Sequence, residues 1–199
     1  MGAETARERM LRVTTELLLE GKAPQEITVK EIIERADVGM GMVNYHFQTK
    51  EHLVALAIEQ FMSFVVPSVK GMLLEHETLP PKERLAIAVK GVANCLAQAP
   101  GDSIARQAFL QNLTQGTKND ATALAAEVLY EPMRQALPNC DEQEVWVRLQ
   151  MLISCMEMAL LRAPVLRETN KLNFYDEDER NQFLKQVTDI LLTDRGVKG

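Results

Sequence analysis

Residues 27–53 read ITVKEIIERADVGMGMVNYHFQTKEHL, and this segment predicts two short helices joined by a tight break. Thr28 followed by Glu31 has the pattern of a capping box, in which the hydroxyl accepts the Glu31 amide and the carboxylate reaches back. A helix should follow this cap, and a break at residues 37–39 should lead to a second helix over residues 40–47. Two helices with this spacing have the layout of a helix-turn-helix, whose second helix meets the edges of DNA bases.

A cluster of polar side chains closes the second of these helices. Asn44, Tyr45 and His46 lie at its end, and Lys50 follows one turn further on. Thr49 has the residue type and the position of an N-cap for the next helix. Hydroxyl, imidazole and ammonium groups beside a capped helix N-terminus suit a phosphate group. The segment therefore predicts a surface that binds a nucleic-acid backbone.

Apolar residues recur at three- and four-residue spacing along the rest of the chain, and almost nothing has the pattern of a strand. This spacing predicts further helices over residues 4–20, 80–99, 120–137 and 141–163, and a last one after the acidic run 176–179. The segment 141–163 is apolar on nearly every face, and such a helix needs cover on two sides. In a chain of this length, we expect part of that cover to come from a second copy of the protein.

The composition is that of an ordinary soluble protein, with 46% hydrophobic and 25% charged residues among 199. No apolar run approaches the roughly 18–20 residues that a membrane helix needs, and the charged start lacks the apolar centre of a signal peptide. The three cysteines are an odd number at wide spacing, which predicts neither a disulfide framework nor a metal site. We therefore expect a cytoplasmic protein without a membrane partner.

Sequence signals of catalysis are missing. There is no glycine-rich phosphate loop and no nucleophile motif, and none of the three histidines has a partner at metal-ligand spacing. We therefore expect no catalytic residues, no metal and no cofactor, and a chain that is not an enzyme. The net charge of −6 argues only weakly against a DNA partner, because DNA binding depends on where the cations point.

The most diagnostic residues of the first domain are the run GMVNYHF at 41–47, followed by Lys50, Glu51 and Leu53. With them, the segment 27–53 closely resembles the DNA-binding domain of the TetR family of bacterial regulators. The rest of the chain resembles that family only in being all-helical and of the right length.

The resemblance implies roles for individual positions. Thr28 and Lys30 would contact the DNA backbone, with Lys30 also able to reach a base edge, and Phe47 would tie the second helix to the core. Residues 40–42 would face the major groove, where their side chains offer no hydrogen-bond donor to a base. Readout would then rest on thymine methyl groups, on Lys30 and on DNA shape. The expected DNA-binding residues are Thr28, Lys30, Met40, Gly41, Met42, Asn44, Tyr45, His46 and Lys50.

Two positions depart from the pattern of the family. Asp37 stands where the family usually has Gly, and Gly39 stands where it usually has Ser or Thr. Gly is an acceptable N-cap, so we expect the second helix to form with Gly39 as its cap. A hydroxyl that would bind phosphate is nevertheless missing there.

We therefore expect an all-α chain in two domains, a three-helix helix-turn-helix DNA-binding domain over residues 1–50 and a larger helical effector-binding and dimerisation domain over residues 51–199. As the resemblance implies, the protein would be a homodimer that represses transcription from a palindromic operator on double-stranded DNA until a small apolar molecule releases it. The alternative is a helical small-molecule-binding or interaction protein that no longer binds DNA specifically.

Candidates for the effector pocket and the dimer interface come from the apolar residues of the second domain. Rings, thiols and methionines line pockets, although for any single methionine the core or the interface is the better interpretation. The pocket candidates are Phe109, Tyr130, Trp146, Met151 and Cys155. The interface candidates are Leu149, Leu152, Met156, Leu160, Phe183, Val187 and Leu191, on the last two predicted long helices.

Overall fold

The computed structural model of the chain describes residues 4–97, 105–106, 110, 121–169 and 171–193, without the side chains of Met62 and Ala121. Every regular element in these ranges is an α-helix, as the apolar spacing predicts. The helices are α1 (Ala6–Leu19), α2 (Val29–Ala36), α3 (Met42–Phe47), α4 (Lys50–Ser63), α5 (Val65–Glu75), α6 (Pro81–Ala97), α7 (Ala121–Ala136), α8 (Glu142–Leu161), α9 (Ala163–Glu168) and α10 (Glu177–Leu192).

The N-terminal domain is built around α1, which packs against α2, α3 and α4. Met10 and Leu17 of α1 are completely buried, together with Ile32 of α2 and Leu53 of α4. Each such side chain contributes about 2 kcal/mol by leaving water, so this small core is what fixes the short helices in place. Because Leu53 lies in the first turn of α4, that helix completes the N-terminal core and then continues toward the second domain.

Two threonines cap helices of this domain in different ways. At the start of α1, Thr5 accepts the Glu8 amide at 3.2 Å and the Glu8 carboxylate accepts the Thr5 amide at 2.8 Å, which is a complete capping box. At the start of α2, Thr28 accepts the Glu31 amide at 3.2 Å, as predicted. The prediction that the Glu31 carboxylate accepts the Thr28 amide in return is wrong, because this carboxylate pairs with Lys22 at 2.5 Å instead.

The C-terminal domain is a layered helical bundle in which α6 packs against α5 and α7, and α8 packs against α7. The last helix, α10, lies across α6 and α8. Asp141 and Asp176 cap α8 and α10, each accepting the amide three residues on. Acidic groups in the first turn of α10 face the positive end of the helix, as the run 176–179 predicts. The short helix α9 was not expected.

One helical stretch of the chain is longer and more apolar than the sequence analysis expected. Helices α4 and α5 follow each other so closely that the run Lys50–Glu75 is, by length and composition alone, long and apolar enough to cross a membrane. The expectation that no run reaches this length is therefore wrong, because a membrane span tolerates a few interspersed polar residues. A core helix of a soluble protein passes the same test, so the run alone does not place the chain in a membrane.

Candidate nucleic-acid interface

The turn between α2 and α3 depends on two residues with positive φ. Asp37 ends α2 in the left-handed conformation at φ 50°, and Gly41 precedes α3 at φ 93°. Gly41 has open space around the position of a Cβ, so its backbone angle and not crowding favours glycine here. Helix α3 therefore begins at Met42, and its N-cap is Gly41. The expectations of a start at residue 40 and of a Gly39 cap are both wrong.

Helix α3 is held by two side chains on its inner face. Val43 and Phe47 are buried, and the guanidinium of Arg7 lies 5.2 Å from the centre of the Phe47 ring. Arg9 binds the other side of the turn, since its Nε donates to the Ala36 carbonyl at 2.9 Å. Neither arginine was predicted, because each acts on a group far away along the chain and local spacing carries no signal of that contact.

Most of the predicted DNA-binding residues lie on the outer side of this turn. Met40 is 89% exposed and Tyr45 80% exposed, the two highest values among the large apolar side chains of the described residues. The His46 ring is half-buried and packs edge-on against Tyr45, with 4.8 Å between ring centres. Thr28, Lys30, Gly41 and Asn44 are exposed as well, and Met42 is half-buried.

Lys50 is placed differently from the rest of the predicted cluster. Its side chain is only 20% exposed, and its ammonium turns toward the loop between α1 and α2. There it donates to the carbonyls of Pro24 at 3.2 Å and Ile27 at 3.0 Å. Thr49 does cap α4, since its hydroxyl accepts the His52 amide at 3.1 Å.

Ion pairs neutralise several cations of this domain. Arg35 and Glu20 lie 2.6 Å apart, and the hydrogen bond from Arg35 lowers the pKa of the Glu20 carboxyl. Lys30 is different, because its side chain is 82% exposed and the nearest carboxylate, Glu34, is 3.8 Å away. Lys30 thus remains an accessible cation in the first turn of α2, where the helix N-terminus also attracts an anion.

The outward face of α8 is not the face that sequence reasoning selected. Leu149, Leu152, Met156 and Leu160 are buried inside their own subunit, which corrects their assignment to an interface. The apolar side chains that point outward, 46–68% exposed, are Trp146, Val147, Met151 and Met158 on α8 and Ile190 on α10. Of the α10 candidates, Phe183 and Val187 are half-buried and Leu191 is buried.

A groove of about 580 Å³ lies between α8, α9 and α10, lined in part by Cys155, Met158, Arg162 and Phe183. Among the pocket candidates, Cys155 lines this groove, and burial raises the pKa of its thiol. The other candidates are dispersed. Tyr130 and Trp146 pack edge-on, 5.8 Å apart, and Met151 is on the outward face, while Phe109 lies outside the described residues. Within the described ranges, no three acidic, histidine or cysteine side chains cluster as a metal site.

Comparison with known proteins agrees with this architecture. Residues 11–57 match the family described as bacterial regulatory proteins, tetR family. The structure is similar to FadR from Bacillus subtilis in complex with stearoyl-CoA, at a TM-score of 0.63 and 15% identity over 93% of this chain and 97% of that one. A TetR-like regulator from Rhodococcus sp. RHA1 has a TM-score of 0.63 and 14% identity, over 98% of this chain and 100% of that one.

A third similar structure is the TetR family repressor AlkX from Dietzia sp., implicated in biodegradation of n-alkanes, at a TM-score of 0.59 and 12% identity over 96% of this chain and 97% of that one. No curated protein sequence matches the chain. The family match covers the helices that present Met40 and Tyr45, and the structural likeness extends the same fold to the remaining helices. Residues 11–57 therefore match the tetR family of bacterial regulatory proteins, and the likeness of the remaining helices to solved structures shows a shared fold.

Proposed function

We propose that this protein is a cytoplasmic, homodimeric repressor that binds a palindromic operator and is released from it by a small apolar effector. The observation that carries the proposal is the exposed outer face of the helix-turn-helix. Met40 and Tyr45 project from it, and Lys30 adds an accessible cation at the neighbouring helix N-terminus. An acidic chain binds DNA only where its cations are directed at phosphates, and Lys30 places such a cation on this surface.

The DNA contacts divide into two kinds. Thr28, Lys30, Tyr45 and His46 supply hydroxyl, ammonium and imidazole groups for phosphate oxygens, which fix the register on the duplex. The residues directed into the major groove are Met40, Gly41 and Met42, and Asn44 adds its amide to the phosphate contacts beside Tyr45. Since Met40 and Met42 lack donors, we infer that they contact thymine methyl groups and that Lys30 and DNA shape supply the rest of the readout.

The outward apolar face of α8 and α10 supports the homodimer. Trp146, Val147, Met151, Met158 and Ile190 leave this face exposed in the single subunit. Two copies packed through it would form a four-helix interface with a two-fold axis. That symmetry would place two copies of α3 about one DNA turn apart, on the half-sites of a palindrome.

The proposed effector is based on two similar structures and on the apolar residues of the C-terminal domain. FadR from Bacillus subtilis was crystallised with stearoyl-CoA, and AlkX is implicated in biodegradation of n-alkanes, so both neighbours are linked to long apolar chains. We propose an apolar effector for this chain as well, held in the C-terminal domain, where Cys155 and Phe183 line the groove between α8, α9 and α10. An effector releases DNA only if it binds the non-binding arrangement of the subunits more tightly than the binding one.

One observation keeps a second function in consideration. The absence of donors at residues 40–42, together with the net charge of −6, favours a helical small-molecule-binding protein that no longer reads DNA. The two functions differ in whether the protein prefers any duplex sequence.

The test is selection of duplexes from a random pool, followed by affinity measurements at several salt concentrations. We expect an enriched palindrome that binds at least about a thousandfold more tightly than scrambled DNA, with affinity falling as salt rises. Tyr45→Ala should weaken binding by about tenfold. Phe64→Ala, which truncates an exposed aromatic residue remote from α3, is the matched control and should change nothing. Equal, weak binding to all duplexes would favour the second function.

A further inference from the structure

The side chain of Lys50 forms hydrogen bonds within the protein. Its Nζ donates to the carbonyls of Pro24 at 3.2 Å and Ile27 at 3.0 Å, and the side chain is 20% exposed. Both carbonyls belong to the loop between α1 and α2, where no backbone amide among the described residues donates to them. The loop would therefore leave two carbonyl groups without a protein partner if Lys50 released them.

Lys50 lies at the end of α4 where a positive charge is unfavourable. Lys50 is the first residue of α4, where the helix N-terminus disfavours a cation. The nearest carboxylate, Glu51, is 3.9 Å from Nζ, too far for a strong pair. The two carbonyls are thus the main polar partners of the ammonium, and they are what holds a cation at this unfavourable end of α4.

The loop that Lys50 binds leads directly into the DNA-binding surface. Ile27 is completely buried, and the next residue, Thr28, is the N-cap of α2. Lys30 follows in the first turn. Through the Ile27 carbonyl, Lys50 therefore connects the start of α4 to the start of α2.

We propose that Lys50 is a positioning residue, which ties the N-terminus of α4 to the α1–α2 loop and so sets where α2 presents Thr28 and Lys30, and that it does not hold a phosphate. The DNA part of this inference rests on the proposed function, whereas its structural part does not.

The experiment compares Lys50→Met with Lys30→Met, since both remove one positive charge from the same domain and only Lys50 binds the loop carbonyls. The first measurement is hydrogen exchange without DNA. In Lys50→Met we expect exchange at the bonded amides of Glu26 and Glu31 to become about tenfold faster, with α8 amides unchanged, and in Lys30→Met we expect no change. Unchanged exchange in Lys50→Met overturns the proposal whatever the DNA data show.

The second measurement is affinity for the selected duplex across a salt series. A phosphate contact contributes about 0.9 to the slope of log affinity against log salt. We expect Lys50→Met to weaken binding by about tenfold at every salt concentration with an unchanged slope, and Lys50→Arg, which retains donors for both carbonyls, to restore most of the loss. A shallower slope in Lys50→Met overturns the proposal. If the wild-type protein selects no duplex, the proposed function fails, and hydrogen exchange alone decides the role of Lys50.

Discussion

Helices α3 and α8 each carry residues for which sequence reasoning assigned an outward face, and the two assignments had different outcomes. On α3, Phe47 is buried while Tyr45 is exposed, as expected. On α8, Leu149 and Leu152 were expected outside and are completely buried. A short helix with one polar side has only one way to sit on a core. A helix that is apolar all round can pack in several orientations, and the contacts with neighbouring helices determine which of its faces is buried.

The largest expected effect concerns the face of α8 that points outward. The double variant Val147→Glu with Met151→Glu should raise the dimer dissociation constant by about a thousandfold or more, because it buries two unpaired carboxylates at the proposed interface. Sedimentation velocity measures this directly. Leu74→Glu, which introduces one such carboxylate at an exposed apolar position of α5, should leave the dimer intact. A dimeric double variant would place the interface elsewhere.

The predictions that held concern groups close together along the chain. Thr28 and Thr49 act on amides three residues away, and both caps were predicted, although the return bond of Glu31 and the Gly39 cap, which are equally local, were wrong. The interactions that were missed span longer distances along the chain. The contacts of Lys50 with Ile27 and of Arg9 with Ala36 each bridge more than twenty residues, and neither apolar spacing nor a motif records them.

A second prediction tests the inner face of α8. In the doubly substituted chain, where dissociation no longer contributes, Leu152→Ala should lower the free energy of unfolding by about 3 kcal/mol through the cavity that it leaves. Met158→Ala, on the exposed face of the same helix, should lower it by less than about 0.5 kcal/mol. Urea denaturation at fixed protein concentration measures both. Similar losses for the two variants would mean that α8 buries both faces equally and that the distinction between them is wrong.

The smallest expected effect compares the two domains through one carboxylate each. The hydrogen bond from Arg35 lowers the pKa of Glu20, and hydrogen bonds from Lys90 and then Asn94 lower that of Glu177. A lowered folded-state pKa means that each carboxylate stabilises the fold at neutral pH, and that this contribution disappears as pH falls through the folded-state value, below the ordinary 4.5. Both groups are exposed, so solvent screening keeps the contributions small.

Glu20→Gln and Glu177→Gln should therefore each lower the unfolding temperature slightly at neutral pH, and the difference from wild type should shrink toward zero in acid. The matched control is Glu75→Gln, an exposed carboxylate at the end of α5 that makes no ion pair among the described residues. A difference that grows in acid would reverse the sign and refute the assigned pKa direction. Because each ion pair lies within one domain, a loss confined to N-terminal amides in Glu20→Gln, and to C-terminal amides in Glu177→Gln, would show by hydrogen exchange that the two domains unfold as separate units.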